Sequence, residues 1–114
     1  MTDIELLKLA AKAAGYDGLG MWDEKRGYLW DGEGWTFDPL RDDGDALRLA
    51  VKLGIDLLFT YEDVEAVATH HARQEDQEMI SPWACESWTL KPQDTYAATR
   101  RAIVRAAAEI GRTM

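Results

Sequence analysis

A helix whose apolar arc covers more than half its circumference has to be enclosed by other elements, and this chain opens with one. Thr2 followed three residues later by Glu5 is a capping box: the threonine oxygen takes the Glu5 N–H, and the Glu5 carboxylate reaches back to that of Thr2. Ile4, Leu7, Ala11 and Ala14 then repeat at helical spacing, while Leu6, Ala10 and Ala13 widen the arc and leave Glu5, Lys8 and Lys12 as a narrow polar stripe. Gly15 supplies a left-handed stop, so the spacing predicts a mostly buried helix over residues 3–14. The remaining chain can supply the enclosure, because 46% of the 114 residues are apolar and five are tryptophan. That length suits a single domain, 1–114, and the composition excludes intrinsic disorder.

After Leu19 the period changes. Residues 20–22 and 28–30 are short aromatic-rich runs separated by Asp23-Glu24-Lys25-Arg26-Gly27, whose glycine suits a hairpin turn. A second glycine turn leads into Trp35-Thr36-Phe37, and Pro39 ends any strand there by removing a donor. Asp42, Asp43 and Asp45 sit where a helix first turn favours negative charge, ahead of an apolar stripe of Leu47, Ala50 and Val51 and a closing Gly54. Residues 55–60 and 64–69 are β-favourable and close enough to form a hairpin. Residues 70–82 read as a polar connection, and residues 83–90 as a last strand with Ala84, Glu86, Trp88 and Leu90 on one face. Asp94 caps a final helix over residues 95–110, with Tyr96, Ile103, Ala107 and Ile110 as its buried stripe and Gly111 as its stop. Hairpin connections make the sheet largely antiparallel. The expected fold is therefore α+β, a sheet of four to six strands covered by three helices in an α/β/α sandwich.

Thirteen basic against 21 acidic residues give a net charge of −8, which disfavours nucleic acid and anionic membranes as direct partners. Cys85 has no second cysteine to pair with, and one cysteine with two histidines falls short of a closed zinc site, which points to a reducing compartment. The start, Met-Thr-Asp-Ile-Glu, lacks the positive region of a signal peptide, and no apolar run approaches the roughly 18 residues of a membrane span. The expected location is the cytoplasm.

Three segments, ELLKLAAKAAG over residues 5–15, WTFDPLRDDGDALRLAVKL over residues 35–53 and AATRRAIVRAAAEIG over residues 97–111, resemble the phage ABA sandwich domain family. The resemblance implies helices on both faces of a sheet and an origin in a phage or prophage, and a host-cytoplasmic location with it. It brings no activity, cofactor or catalytic residue, and it does not extend to residues 61–92, where a protein-specific function is expected.

The residues that could carry chemistry have simpler roles. Asp38, Asp42, Asp43 and Asp45 lack the alternating ligands and glycine of a calcium loop, and serve a helix start instead. His70 and His71 with Glu75, Asp76 and Glu78 are ligand-rich, but adjacent histidines diverge and no third ligand stands at a recognised spacing. Cys85 lies beside Glu86, which would raise its pKa, with no base in view. Arg101, Arg105 and Arg112 share one azimuth of the last helix and read as a solvated face, with Arg105 paired to Glu109; Arg100 points toward the buried stripe and should pair with a carboxylate. No catalytic, cofactor or metal site is expected, and the chain reads as a non-enzyme.

Charge distribution is the feature suited to recognition. Residues 17–45 and 56–94 hold nine acids each and all five tryptophans, whereas the stretch from Thr95 onward is net positive by three. Tryptophan mixed with carboxylate suits a basic, partly apolar partner surface, with Trp83, Trp88, Glu75, Asp76, Glu78 and Glu86 as the candidate contacts. The expected function is an acidic phage or prophage accessory module that binds a host or phage protein, in its sharpest form a counter-defence inhibitor of a nucleic-acid-binding complex; the alternative is a structural or assembly component of the phage particle.

Overall fold

A computed structural model describes residues 2–60, 63–67, 83–87 and 94–114. The elements run α1 (Asp3–Ala14), β1 (Met21–Asp23), β2 (Tyr28–Trp30), β3 (Thr36–Phe37), α2 (Asp43–Leu53), β4 (Asp56–Phe59), β5 (Asp63–Val67), β6 (Trp83–Ser87) and α3 (Thr95–Arg112).

The helix ends follow from local chemistry. The Thr2–Glu5 capping box is formed in both directions, each bond 3.2 Å, and Gly15 closes α1 at φ 78°, its N–H reaching the Ala11 and Lys12 carbonyls. The Asp42 carboxylate accepts from the Asp45 N–H at 2.8 Å and caps α2, and the Asp94 carboxylate accepts from the Ala97 N–H at 3.2 Å and caps α3. Each such cap stabilises its helix by about 1 kcal/mol. Gly27 closes the first hairpin at φ 82° with its N–H on the Asp23 carbonyl, and the strands pair Met21 with Trp30, Trp22 with Leu29 and Asp23 with Tyr28.

The α+β class, three helices and antiparallel strands are as the sequence indicates. The strands divide over two three-stranded sheets, β1-β2-β3 and β4-β5-β6, in place of one. α3 is the central element: it packs on β5, β6, α1 and α2, and α1 makes its main contact with α3.

The core runs through these interfaces. α1 contributes Leu6, Leu7, Ala10, Ala11 and Ala14, and α3 contributes Ala102, Ile103, Val104, Ala106, Ala107, Ala108 and Ile110. The first sheet adds Leu29 and Phe37, which lie opposite each other across β2 and β3, and the second adds Val64, Ala66 and Ala84. Burying one leucine such as Leu7 stabilises the fold by about 2 kcal/mol.

Three sequence expectations shift phase. In α2 the buried stripe is Ala46, Leu49, Ala50 and Leu53, while Leu47 and Val51 are exposed. Tyr96, in the first turn of α3, is exposed. Gly111 does not stop α3; it lies buried within the helix, and Thr113 takes the cap position. A Cβ on Gly111 would collide with the Leu9 carbonyl of α1, so this glycine sets how closely the two helices approach. No helix among the described residues is long and apolar enough to cross a membrane.

Candidate interaction surface

Glu86 is the one proposed contact whose side chain the structure defines, and it faces inward. On β6 it lies beside Val64 of β5, and its carboxylate accepts from Arg105 at 2.9 Å and pairs with Arg101 at 3.4 Å. Arg101 and Arg105 are one turn apart on α3, so both guanidiniums converge on one oxygen. Both arginines, read from sequence as a solvated face, instead fasten α3 to the sheet below. Arg112 pairs with Glu109 at 2.6 Å, the partner the sequence suggested for Arg105. Trp83 is on β6, paired with Val67, and Cys85 is paired with Glu65. Trp88, Glu75, Asp76, Glu78, His70 and His71 lie outside the described residues.

Arg100 pairs with a carboxylate under α3, as its azimuth indicates. Its side chain is 18% exposed, Nη1 lies 2.6 Å from Asp43, and Nε donates to the Leu40 carbonyl at 2.8 Å. The four aspartates before and within α2 are each engaged. Asp42 caps the helix, Asp45 accepts from the Asp38 N–H at 2.9 Å and pairs with Arg48 at 2.7 Å, and Asp38 pairs with Arg41 at 3.0 Å. The Asp45 hydrogen bond raises the Arg48 pKa above its ordinary value, although desolvation opposes it.

The described tryptophans split between core and surface. Trp35 is half-buried and meets Tyr16 edge-on at 5.4 Å; Tyr16 also meets Phe37 at 5.2 Å and carries Lys52 over its ring at 4.6 Å. Trp22 packs against the core from the inward face of the first sheet. Trp30 points the other way. It stands directly across from Met21, and the two are 45% and 75% exposed. Cross-strand partners share a face, so they make one outward apolar pair, with Leu19, 55% exposed, just before β1.

Carboxylates lie close to this pair in sequence. Asp31 follows Trp30 directly and shapes the turn by accepting from the Glu33 and Trp35 N–H groups at 2.7 and 3.0 Å. Glu33 at the turn and Asp17 before Leu19 are exposed. Gly20 lets the chain entering β1 approach the end of β2 closely, since a Cβ there would strike the Trp30 carbonyl. This face was within reach of the sequence: a four-residue loop ending in Gly27 fixes Met21 opposite Trp30, and Leu29 then selects the inward side. Comparison with family models, with curated proteins and with solved structures gives no match.

Proposed function

We propose that this chain is a non-enzymatic binding module that engages a basic, partly apolar protein surface through the outward face of its first hairpin. One observation carries this reading: Met21 and Trp30 stand exposed opposite each other, with the exposed Asp17, Asp31 and Glu33 within four residues of one or the other along the chain, whose net charge is −8. Aromatic side chains supply interface area at low entropic cost, and surrounding carboxylates speed and orient approach of a basic partner. Phage or prophage origin rests on the sequence resemblance. Within that setting the partner is a host or phage protein, and a counter-defence inhibitor that occupies a nucleic-acid-binding groove is the form that best uses an acidic face.

The test is affinity capture from phage-infected cells with the wild-type chain and with the Met21→Ser, Trp30→Ser double variant, both checked for fold by circular dichroism. A specific partner should be retained by the wild type, be lost from the variant, and elute progressively between 50 and 500 mM salt, a range of roughly three- to fourfold in Debye length. Equal retention by the variant refutes the hairpin face. Co-purification with intact virions at fixed stoichiometry would move the assignment to a component of the particle.

A further inference from the structure

A second surface gathers three arginines. Asp3, Ile4 and Leu7 from the start of α1, Arg26 and Gly27 from the hairpin loop, the 38–41 turn, and Ala97 and Arg101 from α3 enclose a cleft of about 320 Å³. Ile4, Leu7, Leu40 and Ala97 give it apolar surface. Three arginines and two aspartates line it, and Asp23 and Glu86 pair with Arg26 and Arg101 from outside it, so what the cleft gathers is guanidinium N–H donors and not net positive charge.

The guanidiniums are held in place from several elements. Arg41 donates through Nη2 to the Arg26 carbonyl, pairs through Nε with Asp38 at 3.0 Å, and lies 5.9 Å from the Tyr28 ring centre. Arg101 is fixed through Nη1 to Asp3 at 2.9 Å and through Nε to Glu86 at 3.4 Å. Arg26 donates through Nη1 to the Tyr28 hydroxyl at 3.3 Å. A guanidinium carries five N–H donors in a rigid fork, and these contacts use only part of each set. Preorganised donors beside apolar surface lower the ordering cost of binding an anion.

We propose that this cleft binds a small organic anion, with its carboxylate or phosphate on the Arg26, Arg41 and Arg101 donors and its apolar body against Ile4, Leu7 and Leu40. The volume fits a ligand about the size of a substituted benzene ring, at the small end of known ligand sites. The cleft and the Met21–Trp30 face share no residue, so each proposal stands or falls separately.

The test is a ¹H–¹⁵N NMR titration, arginine Nε–H groups included, with benzoate, phenyl phosphate and inorganic phosphate in turn. Saturable shifts confined to Arg26, Arg41, Arg101 and the amides of Gly27 and Ala97 are expected with benzoate or phenyl phosphate, and the tighter of the two identifies the head group. Inorganic phosphate, which cannot use the apolar surface, should bind at least tenfold more weakly than phenyl phosphate. Arg26→Gln should weaken binding at least fivefold; Lys25→Gln, which removes the same charge from the neighbouring position, should leave it within twofold. Failure of both organic anions to bind, shifts spread evenly over all arginines, equal binding of inorganic and phenyl phosphate, or equal weakening by Lys25→Gln would each overturn the assignment.

Discussion

Replacing Gly111 with alanine sets two well-measured effects against each other. Alanine in a helix interior is favoured over glycine by about 0.5–1 kcal/mol, because glycine loses more backbone freedom on folding. Propensity alone therefore makes Gly111→Ala stabilising. Packing gives the other sign. The added Cβ would overlap the Leu9 carbonyl, a backbone atom held in the middle of α1 that cannot rotate away as a side-chain tip can. Relief requires α1 and α3 to separate by on the order of 1 Å, and a gap of that size forfeits roughly a quarter to a half of each dispersion contact across the interface. Forcing a methyl group into a packed core costs about 1–3 kcal/mol. The net expectation is a loss of about 1–2 kcal/mol, which lowers the urea midpoint by roughly 0.5–1 M and the melting temperature by several degrees. Gly44→Ala is the internal control. There a Cβ meets only the Arg48 guanidinium tip at 3.2 Å and the Asp42 carboxylate at 3.3 Å, both on side chains. It should be neutral or stabilising by up to about 1 kcal/mol. An increase in stability for Gly111→Ala would refute the close approach of the two helices.

Three further outcomes follow from the ion pairs. Arg100→Ala should cost about 2 kcal/mol in urea unfolding because it strips the donor from the Leu40 carbonyl, whereas Asp43→Asn, at a 71% exposed carboxylate, should cost under about 1 kcal/mol. Equal costs would show that the ion pair and not the carbonyl bond is what matters. Glu86→Gln keeps the shape but leaves two guanidiniums without their shared charge, and should cost about 1–2 kcal/mol; a loss near zero would mean that Arg101 and Arg105 are solvated after all. The hydrogen bond from Lys8, and then its charge, hold the Glu24 carboxyl below the usual carboxylate range. A depressed folded pKa means that the pair's contribution is present above the unfolded pKa of about 4.3 and is lost as pH falls through the lower folded value. Carboxyl ¹³C NMR should therefore show the Glu24 midpoint rising in Lys8→Gln, and an unmoved midpoint would remove Lys8 as the cause.

What the sequence disclosed was governed by range. Thr2–Glu5, Gly15, Asp42, Gly54 and Asp94 act on backbone groups within four residues, so their roles were legible. The first hairpin was legible for the same reason. Phase was harder. The period of α2 allows either Leu47 with Val51 or Leu49 with Leu53 to face inward, and tertiary packing, α3 included, buries the second together with Ala46 and Ala50. Gly111 has the local signature of a helix stop, and only the position of Leu9, about a hundred residues earlier in the chain, shows that it is a contact. The division into two sheets was hidden for a related reason, since joining or separating distant strand pairs is a tertiary choice that no hairpin signal encodes. Glu86 was grouped with the surface acids by composition, and the convergence of two arginines from another element places it inside the fold.

The positive excess of the last helix takes on a different meaning in three dimensions. Arg100 ties α3 to Asp43 of α2, Arg101 ties it to Asp3 of α1, and Arg101 and Arg105 together tie it to Glu86 of β6. Three neighbours of this helix, α1, α2 and β6, thus each present one carboxylate to it. These pairs make α3 a hub of the fold. Much of the acid in the first half of the chain is likewise engaged, at caps and in pairs with Arg41 and Arg48. Asp17 and Glu33 have no ion pair among the described residues, and they lie four residues before Met21 and three after Trp30. Internal pairing thereby leaves these two exposed carboxylates for a partner, close in the chain to exposed Met21 and Trp30, which is the combination a basic and partly apolar partner requires.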